Sequence, residues 1–317
     1  MTLYAMALDT GGTKSFALIA DLHKRVIAEA HFDGLGVAHD DACAALQPLE
    51  DAMERILREA ALRAEEIGCV VVNLGGKNEQ QMRSALHRIF PAAHVEVHRE
   101  SSGVLAEQIG RAHGADAVLL AGTGAIAISY SSKGRFIADG WGANMGDRGS
   151  GYWIGERALQ IALCALEERQ PLSHFASMVT GRETPFTAQE TGSALMCARD
   201  KVRERLFPLS RERVAAWCKM AAKYALEGDT ALAALFAEAG RAMADTVERA
   251  LCAVGLPDGV PLAMGGLTNC ACLWQPAFEK RLGRALRIGG ANLAYGALER
   301  AVEWQRRYAG CENSRRD

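Results

Sequence analysis

The feature that most restricts what this chain can fold into is a pattern that occurs twice. Tyr4–Leu8 is a short apolar run of strand length, Asp9-Thr10-Gly11-Gly12-Thr13-Lys14 follows as a glycine-rich bend, and Phe16–Ala20 and Val26–Phe32 read as two further strands around a polar turn. Val118–Ala121 begins the same order again: it enters Gly122-Thr123-Gly124, continues as Ile126–Tyr130, turns at Lys133-Gly134 and resumes through Arg135–Ala138. Strand, Gly-Thr bend and strand at the start of each half predict duplication of one α/β lobe.

The rest of the chain fills out that plan. Leu46, Leu49, Met53, Ile56, Leu57 and Ala60 recur at helical spacing behind Asp40 or Asp41 as N-cap, with Pro48 early enough for the first turns to tolerate it. Cys69–Leu74 and Val95–His98 read as strands of the buried, parallel type, separated by a helical segment. From about Gly155 to Gly255 the pattern is almost wholly helical, after which Pro261–Met264 supplies one more short strand. Ala294, Ala297, Leu298, Ala301, Val302 and Trp304 form a last amphipathic stripe. The expected layout is a first lobe over 1–115, closed by a C-terminal helix at about 292–309, and a second lobe over 116–291 with a helical insert. A length of 317 residues suffices for both.

Charge narrows the partners. Thirty-six Lys plus Arg against 38 Asp plus Glu leave a formal charge of -2, so no strong field draws the chain to nucleic acid or to a membrane surface. A small-molecule partner fits better. No run reaches the roughly 18 apolar residues of a membrane span, and Met1–Leu8 carries neither a basic segment nor a cleavage site, so a cytoplasmic protein is expected. The nine cysteines are odd in number and scattered, as reduced thiols would be, and Cys270 and Cys272 have no second close pair to complete a zinc site.

Four segments carry chemistry. Gly11 and Gly12 allow main-chain N–H groups to approach a phosphate with no Cβ in the way, Thr13 and Lys14 add a hydroxyl and a charge, and Asp9 at the strand end can hold Mg²⁺ through water. A hairpin turn that uses glycine only for its backbone freedom would look the same. Gly122, Thr123 and Gly124 offer the same donors in the second meander. Neither bend is a P-loop, and no G-x-G-x-x-G opens a helix after the first strand. The third segment, Asp139 to Gly155, packs six glycines, Trp141, Trp153, Asp147 and Arg148 into one stretch, which can set backbone amides and an aromatic wall against a hydroxylated ring while Asp147 accepts from its hydroxyls. The fourth, Gly265-Gly266, follows the last short strand and can seat a flat adenine and ribose against main chain.

In this order and at these separations the four segments resemble the N-acetylglucosamine kinases, in the family that also holds the BadF-type ATPases and the bacterial glucosamine kinases. The likeness covers nearly the whole chain, and the third segment is close to that family's G-G-W-G-x-x-x-G-D-E-G-S-x-Y-W-I-G. The resemblance implies an actin-like (ribonuclease H-like) ATPase fold of two lobes with mixed five-stranded sheets, ATP and Mg²⁺ as cofactors, phosphoryl transfer to an amino sugar, and a homodimer. It further implies that Thr13 and Thr123 bind ATP phosphates, that Gly140, Trp141, Gly142 and Asp147 line the sugar site, and that Glu100 stands where the family has its Asp general base. Three positions depart from the family pattern, all on the acceptor side: Glu100 is longer than Asp by a methylene, Ala38 replaces an Asn that contacts the sugar, and Arg148 replaces a Glu. An activator-type conformational ATPase and a sugar-binding protein without turnover remain the alternatives.

Overall fold

The computed structural model describes residues 3–11, 14–34, 46–75, 79–99, 102–289 and 293–313. The chain divides into two compact units, residues 1–115 with 291–317, and residues 116–290.

The first unit is built on a sheet in the order β3 (Val26–Asp33), β2 (Lys14–Ala20), β1 (Tyr4–Thr10), β4 (Ile67–Leu74) and β5 (His94–Arg99). β1 pairs antiparallel with β2, and β2 with β3, whereas β1, β4 and β5 run parallel. Every residue of β4 is buried, which is why that strand reads as one apolar run rather than as an alternation. Alternate residues of β1 face opposite layers. Met6 and Leu8 pack with Leu49, Met53 and Ile56 of α1 (Gln47–Ala60) and with Met82 and Leu86 of α2 (Glu79–Ile89). Ala5 and Ala7 pack on the other face with Leu105 of α3 (Val104–Ala112) and with Ala294, Ala297, Leu298, Ala301 and Val302 of the C-terminal helix α10 (Leu293–Asn313). The small residues on both sides let α10 lie close to the sheet, and a Cβ on Gly296 would come within 2.6 Å of the Leu105 carbonyl. Helix α1 starts at Gln47 with Leu46 at its N-cap and Pro48 in its first turn; Asp40 and Asp41 lie outside the described residues.

The second unit repeats the plan. Its sheet runs β8 (Gly134–Asp139), β7 (Ala125–Ser131), β6 (Ala117–Ala121), β9 (Pro261–Met264) and β10 (Arg287–Ile288), with the same alternation of antiparallel and parallel pairs. The expected helical insert resolves into α4 (Gly151–Glu167), α5 (His174–Thr180), α6 (Gly192–Leu206), α7 (Arg211–Leu226) and α8 (Thr230–Ala253), followed after β9 by α9 (Ala271–Leu282). Ser150, Ser173, Ser210 and Asp229 cap α4, α5, α7 and α8 by accepting from the third residue on. Phe236, Ala239, Met243 and Val247 of α8 share one core with Ala117, Leu119 and Ala127 of the sheet. Two glycines permit close crossings: a Cβ on Gly155 would stand 2.0 Å from the Val214 carbonyl, and one on Gly240 2.1 Å from that of Trp274. Among the described residues no helix is long and apolar enough to cross a membrane.

Candidate functional site

Of the expected site residues of the first unit, the described ones, Asp9, Gly11 and Lys14, lie where β1 ends and β2 begins. Asp9 is held by its parallel neighbour: Asn73 Nδ2 donates to Asp9 Oδ1 at 2.8 Å, and Leu293 N donates to Oδ2 at 3.3 Å. Burial pushes the Asp9 carboxyl above its ordinary range, against the lowering effect of those two donors. The bend is braced from β4, since Thr10 Oγ1 donates to the Asn73 carbonyl at 3.0 Å and Gly75 N to the Thr10 carbonyl at 2.7 Å. Gly11 N donates to the Lys14 carbonyl at 3.1 Å, and a Cβ on Gly11 would stand 2.9 Å from that oxygen, so the bend is too tight for a side chain there. Lys14 is exposed at the start of β2. Gly12, Thr13, Glu100 and Ala38 lie outside the described residues.

The second bend joins β6 to β7 and is braced by a helix. Gly122 N donates to the Gly124 carbonyl at 2.9 Å, and the first amides of α4 close the other side: Gly151 N donates to the Gly122 carbonyl at 2.8 Å and Tyr152 N to that of Thr123 at 3.2 Å. The N–H groups of Thr123 and Gly124 and the Thr123 hydroxyl have no partner among the described residues. Gly265 leaves β9 at φ +103°, and a Cβ there would stand 2.5 Å from the carbonyl of Ala121, the residue before the bend. Glycine is thus required on both counts. The structure brings Gly265–Gly266 and Gly122–Gly124 together at the C-terminal ends of neighbouring strands, the end at which open α/β sheets bind ligands. At Gly122 and Gly266 a Cβ would meet nothing within 4 Å, so both present open backbone.

The glycine-rich loop after β8 is organised by a residue that sequence reasoning gave no role. Asp139 takes φ +66° and turns its carboxylate back into the loop, where Oδ1 accepts from Gly140 N at 2.9 Å and Asp147 N at 2.7 Å, and Oδ2 from Arg148 N at 3.3 Å. A Cβ on Gly146 would stand 2.4 Å from Asp139 Oδ1. Gly140 and Gly142 have positive φ, and between them Trp141 is thrown outward with 76% of its surface exposed. Asp147 points the other way. It is 3% exposed, its Oδ1 accepts from Ala125 N at 3.3 Å, and its Oδ2 accepts from Arg211 Nη2 at 2.6 Å. Burial pushes its carboxyl up, partly offset by the Ala125 amide and the Arg211 charge.

Trp141, Asn144 and Met145 of this loop form, with Tyr152 and with Leu209, Arg211 and Val214, an open groove of about 350 Å³. Sequence reasoning missed Tyr152, Leu209, Arg211 and Val214 as site residues. One signal was available for Arg211: it is the first residue of α7, where the helix dipole disfavours a cation.

Three comparisons with known proteins bear on this arrangement. The N-acetylmuramic acid/N-acetylglucosamine kinase of Clostridium acetobutylicum is 24% identical over 171 residues, 52% of this chain and 55% of that protein. The match therefore spans about half the length of that curated relative. A provisionally assigned N-acetylglucosamine kinase of Chromobacterium violaceum superposes with a TM-score of 0.69 at 20% identity over 94% of this chain and 98% of its own. Another, from Porphyromonas gingivalis, gives 0.67 at 16% identity over 96% and 98%. At such identities the likenesses speak for the fold alone, an actin-like one with a mixed five-stranded sheet in each unit. The BadF/BadG/BcrA/BcrD ATPase family model matches residues 8–298, nearly all of the duplicated framework and every bend described above, and the chain belongs to that family.

Proposed function

We propose that this chain is an ATP-dependent kinase that transfers the γ-phosphoryl group of ATP to a hydroxyl of an amino sugar of the N-acetylglucosamine type. The observation that carries the reading is the convergence of a phosphate-sized bend and a ring-sized groove within the second unit. Thr123 and Gly124 offer unengaged N–H donors and a hydroxyl, Gly265–Gly266 gives bare backbone beside them, and Tyr152 both donates its amide to that bend and walls the groove with Trp141.

The roles follow from chemistry. Thr123 and Gly124 hold phosphate oxygens through N–H and hydroxyl donors, and Gly11, Gly12, Thr13 and Lys14 form the counterpart bend of the first unit. Gly140, Trp141 and Gly142 form the acceptor's wall, and Asp147 holds that wall to the bend. Asp9 suits Mg²⁺: it is one desolvated carboxylate whose charge a hard cation would stabilise, and Mg²⁺ in phosphoryl-transfer sites takes few protein ligands, with water and phosphate completing the shell. When bound there it would neutralise phosphate charge. Glu100 takes the proton of the acceptor hydroxyl as that oxygen bonds to the γ-phosphorus and the bond to the bridging oxygen breaks, releasing ADP. The exposed Arg148, in place of the family's acid, favours acceptors that carry a carboxylate or a phosphate.

The test is an ATP-coupled screen over amino sugars, N-acetylated sugars, muramic acid derivatives and simple hexoses. Sugar-dependent ADP release is expected, with Glu100→Gln abolishing turnover while ATP binding persists. ADP release indifferent to every sugar would replace this reading with an acceptor-independent ATPase, and nucleotide binding without any turnover would replace it with a sensor.

A further inference from the structure

We infer that Arg211 is a catalytic residue whose guanidinium contacts the transferred phosphoryl group, and that Asp147 is the buried carboxylate that aims it. The inference rests on the reading of Gly122–Gly124 as a phosphate bend.

Arg211 opens α7, where the helix N-terminus repels a cation, so its position needs a local counter-charge. Asp147 supplies it through the 2.6 Å bond from Arg211 Nη2 to Oδ2. The other oxygen of Asp147 accepts from Ala125 N, the first residue of β7 directly after the bend. One buried carboxylate therefore ties the arginine to the bend. The guanidinium stands so near that a Cβ on Gly124 would come within 3.0 Å of Arg211 Nη2 and 3.0 Å of Asp147 Oδ2. A glycine at that position leaves room for the pair.

Only part of the guanidinium is engaged. The Arg211 side chain is 45% exposed although its partner's is 5% exposed, and it lines the groove with Trp141 and Tyr152. The arginine thus stands between the bend, where phosphates are read to lie, and the groove, where the acceptor is read to lie. Its position is set by the protein rather than by the ligand. A planar cation held in this way has donors left for the equatorial oxygens of a phosphoryl group, and its charge acts where negative charge spreads during transfer. Were Arg211 there only to neutralise Asp147, lysine would serve and the cost of replacement would fall on stability.

The experiment compares the full-length chain with Arg211→Lys, Arg211→Ala and Asp147→Asn. Three quantities are measured: kcat and KM for ATP with an active sugar, calorimetric affinity for MgADP with and without aluminium fluoride, and rescue of Arg211→Ala by millimolar guanidinium. We expect kcat of Arg211→Ala to fall on the order of 10³-fold with KM for ATP within about threefold. The gain in ADP affinity from aluminium fluoride should vanish in both arginine variants, guanidinium should restore part of the rate, and Asp147→Asn should fall between. Arg211→Lys at wild-type rate, or variants that keep the full aluminium fluoride gain, would overturn the inference. The fluoride comparison needs no acceptor, so it reads Arg211 even if no sugar is phosphorylated. Failure of the wild type to bind ADP at all would instead overturn the nucleotide reading beneath it.

Discussion

Glu96 offers a test of the first unit's architecture that can be worked from the structure. It lies on β5 with its side chain 17% exposed, and it accepts from His94 Nε2 at 3.1 Å, His98 Nε2 at 2.8 Å and Arg300 Nε of α10. Burial alone would push its carboxyl up, but the hydrogen bonds from Arg300, His98 and His94 outweigh burial and hold it down from 4.5 to about 2. A carboxylate depressed in the folded state contributes stability that is complete above the unfolded value and is lost as pH falls from 4.5 to about 2. The shift corresponds to ~3 kcal/mol, which screening of the half-exposed Arg300 reduces to ~2 kcal/mol. Glu96→Gln should therefore cost ~2 kcal/mol at pH 7 and progressively less toward pH 2, measured by urea unfolding at a series of pH values with far-UV circular dichroism. Equal stability of the two proteins at pH 7, or a difference that stays constant down to pH 2, would refute the reasoning.

Two further outcomes follow from packing. Gly240→Ala forces α8 away from α9, because the new methyl would meet the Trp274 carbonyl, and should cost ~2 kcal/mol after the helix-propensity gain of alanine, a fall in Tm of roughly 4–8 °C by calorimetry. Trp141→Ala removes an exposed indole, so Tm should barely move while KM for the sugar rises roughly 2- to 12-fold, the worth of an aromatic contact, in the steady-state assay.

Much of the framework was legible because buried strands and Gly-Thr bends are local patterns. Pro261–Met264 is read with its observed bounds, and β1 to β9 all fall on segments read as strands. β10 was not legible: Arg287–Ile288 is exposed, two residues long, and takes its register from β9 rather than from its own composition. The two glycine bends were visible as glycine spacing. The groove was only half visible, since Trp141 announces itself within a dense loop, whereas Leu209, Arg211 and Val214 come from a helix start far along the chain that only folding brings to it. Sequence reasoning gave Asp147 a ligand-facing carboxylate, but its burial against Ala125 and Arg211 depends on a partner 64 residues away, which no local pattern encodes. Asp139 was overlooked for a similar reason, since its role lies in amides it captures across the loop.

The most direct measurement of the central claim is calorimetric titration of a non-hydrolysable ATP analogue with Mg²⁺ into the wild type and into Gly122→Val. In the free protein a Cβ on Gly122 meets nothing within 4 Å, so the variant should fold with an unchanged Tm, yet its side chain would occupy the space where a phosphate must approach the bend. The wild type should bind and the variant should not. A wild type that takes up no nucleotide, or a variant that binds it equally well, would contradict the account.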